Sequence, residues 1–255
     1  MSIIKPTLSL VLGLLVLWLA AQTGAYLRRR RKLDEVEQED LGIIVAAALT
    51  LLGLVIGFSF SMSVSRYDLR KNYEAEEANA IGTEYVRAGL LGTDDATKVR
   101  EGLRSYLDQR ISFYGAQTTR ELEQINVSTA QLQADLWSTV QAAAAAQPTP
   151  VVALAVSGMN DVLNSEGYTQ AAWWNRIPTA AWGLMVAVAI GCNLMVGYSA
   201  RRPLKERTRE FVILPLIVSI AFALIADMDS PRGGFIRVHP LNLQRLSRSL
   251  HAPRP

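Results

Sequence analysis

Four stretches of the chain are uncharged and mainly apolar: positions 8 to about 26, 41 to about 62, about 177 to 198, and 211 to about 226. The first three are long enough to cross a bilayer as helices. The fourth gives only about 24 Å of helix, which predicts that Asp227 and Asp229 sit at a membrane surface. Pro215 inside it predicts a kink.

The polar remainder carries helical rhythm rather than alternation. No proline occurs from 41 to 81, so the second span is expected to continue as one helix beyond the bilayer, with Gly82 the first plausible break. Asp94 or Asp95 then caps a helix whose Val99, Leu103, Tyr106, Leu107 and Ile111 share one face. Leu122, Ile125, Thr129, Leu132, Leu136 and Val140 repeat that spacing. Pro148 and Pro150 interrupt and restart the chain, and Leu154, Val162 and Leu163 belong to the last helix before the third span. Nothing reads as a strand bounded by turns. The expectation is an all-α integral membrane protein: a first transmembrane hairpin (1–62), a helical domain that begins as an extension of the second span (63–172), a second hairpin (173–229) and a tail (230–255).

Charge order sets the expected orientation. Only Lys5 precedes the first apolar run, whereas Arg28, Arg29, Arg30, Arg31 and Lys32 follow it. A cleaved signal peptide, which Ala20, Ala21 and Ala25 would suit, has its positive charge on the other side. Arg201, Arg202, Lys205, Arg207 and Arg209 likewise lie between the third and fourth runs. Because Lys and Arg mark the cytoplasmic side, both short linkers are expected inside, with the central domain and both termini extracytoplasmic. Trp173, Trp174 and Trp182 are expected as an interfacial belt.

Composition agrees with membrane spans alternating with polar segments: half the residues are hydrophobic although 19% are charged. The net charge of +3 does not argue for nucleic acid, because the positives cluster beside apolar runs. One cysteine, Cys192, excludes a disulfide within the chain, and His239 and His251 lack metal-ligand spacing. No phosphate loop, nucleophile elbow, zinc motif or Cys/His pair is present, so neither an enzyme nor a cofactor is expected.

Two kinds of position remain. Gly53, Gly57 and Ser61 strip one face of the second span of bulk, and Gly183, Ala187 and Gly191 do the same on the third. Such faces admit a second helix closely; packing within one subunit is the expectation and a subunit interface the alternative. Near the ends of the second and fourth spans stand Arg66, Arg70, Asp227, Asp229 and Arg232. They are expected to form a salt-bridge cluster, with Asp227 or Asp229 paired to Arg66 or Arg232; an ion-access site is the alternative. Glu74, Glu77 and Glu84, at spacings of three and seven, could with Asp227 offer oxygens to a divalent cation, though a solvated helix face has the same spacing.

The stretches Phe58-Ser59-Phe60-Ser61, Glu77-Ala78-Asn79-Ala80-Ile81-Gly82-Thr83-Glu84-Tyr85 with Arg87, and Asp227-Met228-Asp229-Ser230-Pro231-Arg232-Gly233-Gly234 resemble the bestrophin-like family of bacterial integral membrane proteins, a domain family of unknown function. The resemblance covers nearly the whole chain and implies two transmembrane hairpins around a helical region. Bestrophins proper are pentameric anion channels gated by calcium, with cytoplasmic termini, whereas the Arg clusters here place both termini outside. No pore or calcium residue carries over by position.

Two functions follow as expectations. The favoured one is an oligomeric channel-like or transport-related protein of the bacterial inner membrane, whose partners are the lipid bilayer, further copies of itself and an ion. The alternative is a membrane-anchored scaffold or sensor whose extracytoplasmic helical domain binds a partner, supported by the lack of a central ionisable residue in the spans.

Overall fold

The computed structural model describes residues 6–30, 34–200 and 210–252. Arg31, Lys32, Arg201, Arg202, Lys205, Arg207 and Arg209 therefore lie outside the described residues. The described chain is helical: α1 (Pro6–Arg30), α2 (Glu35–Arg87), a 3₁₀ turn (Ala88–Leu90), α3 (Thr93–Gly115), α4 (Thr119–Ala146), α5 (Pro150–Trp174), α6 (Thr179–Tyr198), α7 (Glu210–Asp229) and α8 (Leu241–His251). No strand occurs among the described residues. Four helical stretches are long and apolar enough to cross a membrane.

The chain divides into two compact units, Met1–Tyr67 with Arg176–Arg237, and Asp68–Asn175 with Val238–Pro255. The first contains α1, the apolar half of α2, α6 and α7. Its core is thin: Leu17, Leu52, Ala189, Cys192 and Val218 are buried, with Ala48, Leu49 and Ile56 packed beside them. Cys192 donates a weak hydrogen bond to the Ala48 carbonyl at 3.3 Å. Outward-facing Leu12, Ile43, Leu54, Phe58, Leu184 and Ile217 are all more than half exposed in the single chain. An apolar coat of this kind suits hydrocarbon rather than water.

The second unit has a continuous core. Ile81, Val99, Leu103, Tyr106, Leu107, Val140, Ala155, Met159, Val162 and Leu243 have no exposed surface. Local signals explain its helix boundaries. Thr118 and Glu121 form a reciprocal capping box at the start of α4. Thr149 accepts from the Val152 N–H at 3.2 Å, and Pro150 occupies the first turn of α5, where its missing N–H costs nothing.

Several expectations need correction. α2 is a single helix of 53 residues that runs through Gly82 to Arg87, because Gly82 is a packing position: a β-carbon there would lie 3.2 Å from Leu246 of α8. Gly92, not Asp94 or Asp95, precedes α3, and both aspartates lie in its first turn, where they favour the positive end of the helix dipole. Leu154, Val162 and Leu163 do lie on α5, whose buried stripe is Val152, Ala155, Met159 and Val162. Trp173 is buried against Phe113 and Tyr114, edge to face at 5.0 and 5.3 Å, and so does not take the open position an interfacial belt requires; Trp174 is exposed, and Trp182 is partly exposed and edge to face with Phe222 at 6.3 Å. The tail divides between the two units, and its α8 buries Leu243 and packs Leu246 and Leu250 on the core.

Candidate functional site

The lower half of α2 turns a row of polar side chains inward. Arg70, Glu74, Glu77 and Glu84 are almost completely buried, interleaved with Ile81 and Ala88 at spacings of three and four. They are not the solvated face that the same spacing would fit. Each carboxylate has its own surroundings. Glu74 accepts from the backbone N–H of Asn242 (2.8 Å) and Leu243 (3.0 Å) and from the Asn242 side chain (2.6 Å), which satisfies the first turn of α8. Glu77 pairs with Arg110 of α3 and accepts from the Thr169 hydroxyl of α5 at 3.1 Å. Arg110 also reaches Glu166 at 3.5 Å and lies 4.6 Å over the Phe113 ring. Burial pushes the Glu77 carboxyl upward from its ordinary range, against the lowering pull of the Arg110 charge.

Arg70 belongs to this unit, where its Nε donates to the Ala172 carbonyl at 3.4 Å. The rest of the expected charge cluster belongs to the other unit. There Arg66 and Asp229 form an ion pair at 3.3 Å. Asp229 also accepts from the Ile177 N–H at 2.9 Å, at the start of the segment leading into α6. Asp227 accepts the backbone N–H groups of Phe235 (2.7 Å) and Ile236 (2.8 Å). A carboxylate that takes two backbone donors closes the chain back on the end of α7, where the last carbonyls lack helical partners. Gly234 is required by that closure, since a β-carbon there would lie 2.6 Å from the Asp227 carbonyl oxygen. The acidic, proline and paired-glycine segment is thus a built turn whose two carboxylates hold three backbone N–H groups and one arginine.

The divalent-cation grouping does not assemble. Glu74 and Glu77 are spoken for by other partners, and Asp227 is committed to its own turn. Among the described residues no three His, Cys, Asp or Glu side chains gather as a metal site.

The small-residue faces are bare among the described residues. A β-carbon at Gly53, Gly57, Gly183 or Gly191 would meet nothing within 4 Å, and Ser61 and Ala187 are exposed. Close approach within the subunit occurs instead between α1 and α6. A β-carbon at Gly24 would strike the Leu194 carbonyl and lie 2.8 Å from the Tyr198 N, and one at Gly197 would strike the Ala21 carbonyl. Ala21 and Ala25 are buried in the same seam. Gly24 and Gly197 were legible only in part: small residues recur at 20, 21, 24 and 25, but each run alone reads as an ordinary apolar span.

No curated protein matches this chain. Among solved structures it is similar to a bacterial Bestrophin homolog from Klebsiella pneumoniae, with TM-score 0.66 and 15% identity over 96% of this chain and 97% of that one. A variant of the same homolog matches with TM-score 0.64 and 14% identity over 94% and 93%. A further crystal structure of a membrane protein matches with TM-score 0.67 and 14% identity over 94% and 97%. At such identities these likenesses establish the fold. The family model for the Bestrophin-like domain matches residues 8–243, so the chain belongs to the Bestrophin-like domain family.

Proposed function

We propose that this chain is an oligomeric, channel-like protein of the bacterial inner membrane, in which the bare face of α2 with Gly53, Gly57 and Ser61 is turned to neighbouring copies and a conduction path. The observation that carries the reading is that this face is stripped of bulk, yet a β-carbon at Gly53 or Gly57 would meet nothing within 4 Å among the described residues. Lipid gains nothing from a helix face without side chains, whereas a second helix gains close van der Waals approach. The bestrophin fold over nearly the full length of both chains supports the same reading. Purified protein in planar bilayers tests it: ion currents support a channel, and silence across several salts favours a scaffold or sensor.

The orientation belongs to the same proposal. Arg28, Arg29 and Arg30 stand in the last turn of α1, and such clusters stay on the cytoplasmic side, so the second unit is extracytoplasmic. Ser105 on α3 is exposed. A Ser105→Cys variant in intact cells is expected to react with an impermeant thiol reagent; protection until the membrane is breached overturns the orientation.

A further inference from the structure

Glu84 differs from every other acid in the second unit. Its side chain has no exposed surface, and neither carboxylate oxygen has a hydrogen-bond partner. It lies directly on the backbone of Gly158 of α5, where a β-carbon would collide with Oε2. The nearest cation, Arg87, is one helical turn away on α2, but its Nη1 is directed to Asp161 of α5 at 3.9 Å. Arg87 and Asp161 are partly exposed, so that pair is weak. The other charges nearby are engaged or distant. Arg100 and Arg104 of α3 turn to the Tyr85 carbonyl (3.2 Å) and hydroxyl (2.6 Å), the 3₁₀ turn carries no charge, and Arg245 of α8 lines an open cleft together with Arg87.

A carboxylate in this position would be a buried charge without a donor, which is among the costliest arrangements in a protein interior. A neutral carboxylic acid tolerates it far better. We propose that Glu84 is a proton-binding latch: protonated, it seats α5 on α2 through Gly158; ionised, it draws Arg87 away from Asp161 and loosens the α2–α5 contact. α2 is the same helix that carries the apolar stretch 41–62, and α5 is followed after residues 175–178 by α6. The latch does not depend on the channel reading.

The electrostatics agree with the geometry. Burial pushes the Glu84 carboxyl up to about 8, with Arg87 lowering it and Asp161 raising it by smaller amounts. A folded-state value above the unfolded one means that the contribution to stability is fully present below the ordinary glutamate range and is lost as pH rises through about 8.

Two measurements on the full-length protein in detergent test the latch. Infrared difference spectra of the wild type between about pH 6 and about pH 9.5 are expected to show a carboxylic-acid C=O band that disappears at the higher pH and is absent in Glu84→Gln. Thermal unfolding of Glu84→Gln is expected to match the wild type near about pH 4, below the ordinary glutamate range, and to exceed it by a margin that grows toward about pH 8 and then levels off. Arg87→Gln should steepen the alkaline loss. A wild type with no such band near pH 6, or a Glu84→Gln variant equally destabilised at both ends, would show an ionised, bonded carboxylate and overturn the proposal; the infrared result decides even if the variant fails to fold.

Discussion

Arg110→Met is expected to destabilise the second unit by about 3–5 kcal/mol, enough to abolish much of the folded protein. The reason lies in what the substitution leaves behind. Glu77 has no exposed surface, and Arg110 is the only cation paired with it among the described residues. The Thr169 hydroxyl offers a single hydrogen bond, which does not replace a guanidinium. Methionine fills most of the arginine volume, so the cost measures the stranded charge rather than a cavity. The double variant Arg110→Met with Glu77→Leu removes both charges together and should recover much of the loss. Thermal unfolding of the wild type, each single variant and the double gives the coupling between the two sites. Additive losses would mean that Glu77 and Arg110 act independently, against the geometry.

Gly24→Val should be the second severe change, costing at least about 2–3 kcal/mol in the first unit. The obstacle at Gly24 is the Leu194 carbonyl and the Tyr198 N of α6, which are backbone atoms and cannot rotate away. Gly197→Val meets the Ala21 carbonyl from the other side and should be as damaging. Gly57→Leu is the control, because a β-carbon there meets nothing within 4 Å among the described residues. It should leave unfolding of the separated subunit unchanged and alter assembly instead. Comparable unfolding losses for Gly24→Val and Gly57→Leu would contradict the placement of the α1–α6 seam.

The elements were legible because apolar runs and heptad-like rhythm are strong one-dimensional signals. Val99, Leu103, Tyr106 and Leu107 fall on the buried face of α3 as the spacing predicts. What the spacing could not supply was which face a mixed stripe turns inward. On α2 the inward row passes from Leu52 through Ser59, Ser63, Arg70, Glu74 and Glu77 to Glu84, so over its second half apolarity marks only part of the inward face, which Ile81 and Ala88 share with four charged side chains. Arg110 shows the same difficulty: its place one turn beyond Tyr106 and Leu107 marks it as inward-facing, but a lone arginine in such a row is ordinarily taken as solvated. The acidic turn after α7 was legible as a specific segment and as a partner for Arg66. Its hydrogen bonds to Phe235, Ile236 and Ile177 depend on chain reversal and distant contacts that sequence order does not display. The small residues of α2 and α6 were read as faces packed within the subunit; that the described residues leave them open could come only from three dimensions.

The central claim, that the bare α2 face borders a conduction path in an assembly of copies, is tested most directly by recording from Gly57→Cys in planar bilayers before and after a thiol reagent. The substitution has room within the subunit, and the native Cys192 is only 3% exposed, so reaction is confined to the introduced thiol. Ion currents that the reagent blocks in Gly57→Cys and leaves unchanged in the wild type are expected. Absence of current in every salt, or current in Gly57→Cys that survives complete modification, would contradict the claim.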